Sequence, residues 1–231
     1  MRTLLVTLLL LALVVVGVDI GGRLLAESKA GEAVAREGHL ATAPDVTIHG
    51  FSFLAQAIPG NYGKITLTSQ DLALGPVDGV AAVVDLYDVR LPLSDALQGD
   101  TRRLTAGFAD LRAQIPTSAL AAALHQPGVT VTAGPDGTIR LGTSATVLGR
   151  RVPVSVDLGV QFAAGVLRLR AQSVQAAGVS SSVLNGLASG YSLDIPLDGL
   201  PVPVTSASAR VEGSQLVVVA QLADLTAGML Q

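Results

Sequence analysis

Few residues in this chain could do chemistry, and they are scattered. His39, His49 and His125 stand without carboxylates at metal-ligand spacing, so their pattern offers neither a zinc site nor a histidine base. Asp85 and Asp88 share a strand-like run, Val80 to Leu91, that mixes both parities; they could form an acid pair, or simply face solvent from a strand. The guanidinium forks of Arg102-Arg103 and Arg150-Arg151 match phosphate geometry and could meet an anionic headgroup, or sit as exposed turn residues next to strands. There is no G-x-S-x-G elbow, no G-x-x-x-x-G-K-[ST] phosphate loop, no H-E-x-x-H and no G-x-G-x-x-G after a strand. An enzyme is not expected, and no metal or cofactor is implied.

The elements that would carry these residues are mostly strands. Val152, Val154, Val156, Leu158, Val160 and Phe162 share one parity, with Pro153, Ser155, Asp157, Gly159 and Gln161 on the other, a period no helix would choose. Such a strand is about twice the usual length, which implies an elongated sheet. Ile65 and Leu67, Ile139 to Val147, and Tyr191, Leu193, Ile195 and Leu197 repeat the rule. Val129 to Ala133, Leu167 to Ala171, Ala207 to Val211 and Leu216 to Leu222 add shorter strands. Arg168 and Arg170 lie opposite Leu167 and Leu169 and mark a wet face. Turns fall at Gly134-Pro135-Asp136-Gly137, Ala163-Ala164-Gly165 and Glu212-Gly213-Ser214. Two short helices interrupt the strands. One starts at Pro116, with Thr117 or Ser118 as N-cap, and runs to Leu124; the other follows Ser180 to Ser182. One-sided strands must bury their apolar face, so a long antiparallel sheet is expected to curl around these helices: an α+β fold, mainly β.

At 231 residues the chain fits one domain of about 200 residues behind a leader, large enough to be stable through its core alone. The absence of cysteine excludes disulfides, a thiol nucleophile and the lipid-acceptor cysteine of a lipoprotein. A net charge of -3 without basic runs excludes a nucleic-acid footprint. Apolar residues make up 49% and aromatic residues only 3%, so the interior is either well filled by small side chains or hollow. Leu4 to Val18 runs apolar after Met1-Arg2, and fifteen residues at 1.5 Å each span about 22 Å, short of a ~30 Å hydrocarbon core. Residues 1–18 therefore read as a signal peptide or, since no clean A-x-A site follows, a signal-anchor. Asp19 to Arg36 reads as a helix with Asp19/Arg23 and Glu32/Arg36 pairs, weakened by Gly21, Gly22 and Gly31. With its thin apolar face it is expected to be a solvated stalk or linker over 19–44, ahead of a domain at 45–231. Either leader makes the protein an exported one.

From Pro44 the chain reads PDVTIHGFSFLAQ, and here it resembles the actinobacterial LmeA family of phospholipid-binding envelope proteins, whose domain opens V-x-I-x-G-F-P-F-L-x-Q. Val46, Ile48, Gly50, Phe51, Phe53, Leu54 and Gln56 match, while Ser52 replaces the family's proline, a change expected to loosen the turn. Ile115, Pro116 and Leu120, then Asp136-Gly137, then Leu200-Pro201 follow the family's order. The resemblance implies a tubular lipid-binding fold with an apolar tunnel, serving phospholipid handling or lipomannan maturation on the outer face of the plasma membrane. Acyl chains would lie against Val152, Val154, Val156, Leu158, Val160, Phe162, Tyr191, Leu193 and Ile195. Phe51 and Phe53 would line an entrance or anchor the first strand, and Arg102, Arg103, Arg150 and Arg151 would meet the headgroup. The expected partners are phospholipid and the plasma membrane. A filled, ligand-free envelope module stays open as the alternative.

Overall fold

The computed structural model describes residues 2–98, 100, 102–124, 128–147, 150–163, 166–176, 191–196 and 204–226. His125, the helix expected after Ser180, Leu197 and Leu200-Pro201 lie outside them. The elements run α1 (Arg2–Glu37), β1 (Asp45–His49), α2 (Phe53–Ala57), β2 (Asn61–Leu74), β3 (Val77–Arg90), α3 (Leu93–Gln98), β4 (Thr105–Pro116), α4 (Thr117–Ala123), β5 (Thr130–Ala133), β6 (Ile139–Val147), β7 (Arg150–Ala163), β8 (Val166–Ala176), β9 (Ser192–Pro196), β10 (Val204–Glu212) and β11 (Gln215–Thr226). The mainly β class is as expected. The strands divide between two sheets, ordered β1-β2-β3-β4-β11-β10 and β5-β6-β7-β8-β9, where one long curled sheet was anticipated. Pro116 ends β4: it has no N–H for a further ladder bond, and the chain turns there into α4.

The chain forms two compact units. Unit 1 holds residues 1–69, 83–110 and 223–231. Its core is Ile48, Phe53, Ala57, Tyr62, Val89 and Ala106, with the Phe53 and Tyr62 rings 6.4 Å apart. The helix predicted over Asp19 to Arg36 is the second half of α1, and it is packed where a solvated stalk was expected. Ala33 is buried, Ala26 packs on the core, and Glu27 accepts the Ile48 N–H at 2.8 Å. Gly31, taken from sequence as a weak point, is a contact: a Cβ there would lie 2.6 Å from the Pro44 carbonyl oxygen. The Asp19/Arg23 pair is replaced by bonds to the chain at Gly50 to Leu54, and Glu32 bonds Lys29. Among the described residues no helix is long and apolar enough to cross a membrane.

Unit 2 holds residues 70–82 and 111–222. β6 to β9 pair antiparallel, with one register shift between β7 and β8 at Asp157/Leu158, and apolar rows run across one face: Ile139, Leu158 and Ala171; Val160, Leu169 and Leu193; Phe162, Leu167 and Ile195. Leu120 and Ala123 of α4 join the same core, together with Val77, Val80, Leu216 and Val218. The α4 N-cap is Pro116 without a side-chain bond, so neither Thr117 nor Ser118 caps it. The Thr117 hydroxyl donates instead to the Ser214 carbonyl at 3.1 Å, which ties the start of α4 to the β10–β11 turn.

Candidate functional site

The opening motif of unit 1 is a small machine of backbone geometry. Val46 and Ile48 alternate inward on β1, and the strand ends at Gly50, whose φ of +132° is a conformation L side chains rarely adopt. Gln56 lies over that glycine. Its amide donates to the carbonyls of His49 (3.0 Å) and Ser52 (3.2 Å) and its oxygen accepts the Gly63 N–H (3.2 Å). Ser52 does the opposite of loosening the turn: its hydroxyl accepts the Ala55 N–H as the N-cap of α2 and donates to Asp19 at 2.8 Å. Asp19 also accepts the Leu54 N–H (2.7 Å) and Phe53 N–H (3.1 Å), and these bonds, led by Leu54 and then Ser52, hold its carboxyl below the ordinary range. The two phenylalanines separate. Phe53 is buried in the unit 1 core, whereas Phe51 is fully exposed.

In unit 2 the predicted acyl-facing residues are together on one face. Val154, Val156, Leu158, Tyr191, Leu193 and Ile195 are buried, Val152 is half-buried, and Val160 and Phe162 are half-buried where they pack on the cluster. Val160 and Phe162 also touch a cleft of about 540 Å³ whose lining is largely polar, with Thr138, Asp157, Gln172, Ser173 and Ser208. The opposite face of the same strands carries a polar row read straight across the register. Arg140 donates to Asp157 through Nε (2.7 Å) and Nη2 (3.1 Å), and the Ser173 hydroxyl donates to it at 3.0 Å. Asp157 is outward by its parity yet only 5% exposed, held within this row.

The Arg140 bonds outweigh the cost of burial and hold the Asp157 carboxyl below its ordinary value of 3.8. A folded value below the unfolded one stabilises the protein above the unfolded pKa, and the contribution is lost as pH falls through the folded pKa. Urea midpoints for the wild type and Asp157→Asn should therefore differ by a constant amount at neutral pH, and the gap should close below about pH 4. A gap that widened on acidification would contradict the assignment.

Two of the predicted headgroup arginines, Arg102 and Arg103, come with acids attached. Arg102 binds Asp100 through Nη2 (2.5 Å) and Nε (2.9 Å), which holds Asp100 down to about 2, and Arg103 pairs with buried Asp95. Arg151 is exposed at the start of β7; the Arg150 side chain lies outside the described residues. The candidate acid pair is divided in role. Asp85 is raised by burial, but bonds from Thr66 (2.6 Å) and Lys64 (2.9 Å) overcome this and keep it low, while Asp88 lines a cleft of about 600 Å³ beside Tyr62, Val89, Arg90 and Leu225. Tyr87 and Phe108 stack at 4.4 Å with Lys64 over the Tyr87 ring, a grouping that appears in the sequence only as isolated aromatics. Arg168 and Arg170 both face Asp194 on the wet side, as their parity predicts. His49 bonds the Thr66 hydroxyl at 2.8 Å. Among the described residues no three His, Cys, Asp or Glu gather into a metal site.

One-sided antiparallel strands, an apolar interior of aliphatic side chains and short packing helices define a mainly β protein. The family model for LmeA-like phospholipid-binding matches residues 17–221, and the chain belongs to that family. The match begins within α1, two residues before Asp19, so the packed half of that helix is inside the matched region. No curated protein and no solved structure matches the chain.

Proposed function

We propose that this protein is a non-enzymatic phospholipid carrier of the cell envelope, working at the outer face of the plasma membrane in lipid handling or lipomannan maturation. Acyl chains are held in an apolar tunnel against the inner face of β7 to β9, from Val152 to Phe162 and from Tyr191 to Ile195. Membership of a phospholipid-binding family carries this reading. The unbroken apolar face of β7 supports it. Each buried CH₂ contributes about 0.8 kcal/mol, so even a partly enclosed chain gains several kcal/mol before ordering costs. Lipid extraction and native mass spectrometry of the purified protein test the claim. A protein that is empty and takes up no anionic phospholipid from labelled vesicles would sink it.

A second reading is favoured by one observation: Val154, Val156 and Leu158 are already buried among protein side chains, as in a filled structural module. Val160→Phe, at a half-buried position of the same face, separates the two. A carrier should lose lipid uptake with a stability cost below about 1 kcal/mol, because the ring occupies ligand space. A filled core should instead lose about 1–3 kcal/mol through overpacking.

A further inference from the structure

The carrier reading concerns the interior of unit 2 and leaves an exposed apolar surface of unit 1 without a use. On α1, Leu13, Val14, Val15, Val16 and Val18 are each more than half exposed. Successive residues of a helix are turned by about 100°, so these side chains point to every side of it. A protein groove covers one stripe of a helix, whereas a helix apolar all round is matched by a lipid environment.

The next turns continue this surface with Ile20, Leu24 and Leu25, all exposed. The charges that interrupt it in sequence, Asp19 and Arg23, are turned away from it. Asp19 bonds Ser52, Phe53 and Leu54, and Arg23 Nη2 donates to the Gly50 carbonyl at 2.8 Å. Those bonds fix the residues on either side of Phe51, whose ring projects wholly into solvent. Phe51 is thus clamped to α1 at the turn where the all-round apolar exposure gives way to a packed helix. An exposed phenylalanine held this firmly has no packing role in the unit that holds it.

We propose that Phe51, with Ile20, Leu24 and Leu25, is an interfacial anchor that seats unit 1 on a phospholipid bilayer, the ring entering the boundary between headgroups and acyl chains. Aromatic and leucine side chains beside a polar, folded face are the composition that binds at this depth. The anchor is independent of whether the interior of unit 2 holds lipid.

The chain contains no tryptophan, so Phe51→Trp gives a single reporter in the full-length protein. It is reconstituted into vesicles of phosphatidylcholine and phosphatidylglycerol with bromine on the acyl chains. Phe108→Trp, at an exposed aromatic position elsewhere in unit 1, serves as the comparison. Phe51→Trp should show blue-shifted emission and be quenched severalfold more strongly than Phe108→Trp. Equal quenching of the two, or failure of the protein to float with vesicles, would overturn the anchor. So would a blue shift that grows with protein concentration without quenching, which would assign the surface to a second copy of the chain. Lipid extraction keeps the readings apart: extracted phospholipid with an unquenched reporter overturns only the anchor, and a quenched reporter on an empty protein overturns only the carrier.

Discussion

Replacing Gly50 with valine is expected to destabilise unit 1 by about 3 kcal/mol or more, the sum of backbone strain and lost hydrogen bonds. The φ of +132° lies where a β-branched residue is a genuine outlier. Independently, a Cβ at this position would stand 2.3 Å from Nε2 of Gln56, so the glutamine must leave the place from which it bonds His49, Ser52 and Gly63. The two costs can be measured apart. Gln56→Ala removes the obstruction and the three bonds but leaves the strain, so Gly50→Val in a Gln56→Ala background should cost less than it does alone, by about 1 kcal/mol or more. Urea unfolding followed by circular dichroism gives the totals, and amide exchange on β1 and α2 shows whether the loss is local. A loss under about 1 kcal/mol for Gly50→Val would mean that the turn readily adopts another path.

The sequence made β7 legible because its alternation is unbroken and its contrast high, valine and leucine against serine, aspartate and glutamine. β3 shows what defeats the same rule. The run from Val80 to Leu91 holds one residue of positive φ, Asp88 at 52°, and Gly79 at 71° stands just before it. Val77 and Val80 belong to the unit 2 core and Val89 to the unit 1 core, so a single inward parity does not describe the strand. β4 is hard to read from the sequence for another reason. Its inward residues include Ala106, Ala109 and Ala113, and alanine gives little contrast between a buried and an exposed position. α1 was undervalued by the same measure: its inner stripe is made of small residues that admit a close approach, as Gly31 does to Pro44, and a count of large apolar side chains does not register it. The bonds of Asp19 to residues 52–54 could not be foreseen at all, since they depend on how α1 docks.

The motif that carries the family resemblance has a physical account that needs no ligand. Gly50 supplies a backbone angle, Gln56 closes over it, Phe53 fills the core and Ser52 caps α2. Only Phe51 is left without a structural duty. Most of that motif thus marks how the first strand and α2 are built.

Leu158→Ala should cost unit 2 about 2–5 kcal/mol, and where in that range it falls bears on what the interior is for. Leu158 is fully buried near the middle of the β7 face, paired between Ile139 and Ala171. In a close-packed core the truncation leaves a void that neighbours fill only in part, adding about 24 cal/mol per Å³ to the lost transfer energy and moving the cost to the upper end. If acyl chains run along this face, the vacated space can be taken by lipid. The cost should then sit near 2 kcal/mol in lipid-loaded protein and rise when the lipid is extracted, since a ligand that binds only the folded form stabilises it by mass action. The decisive quantity is the wild-type to variant difference measured in both states. A difference that is large and unchanged by phospholipid would identify a filled core and remove the inner face of β7 from the candidate site, whereas one that shrinks on loading would place the acyl chain within contact of residue 158.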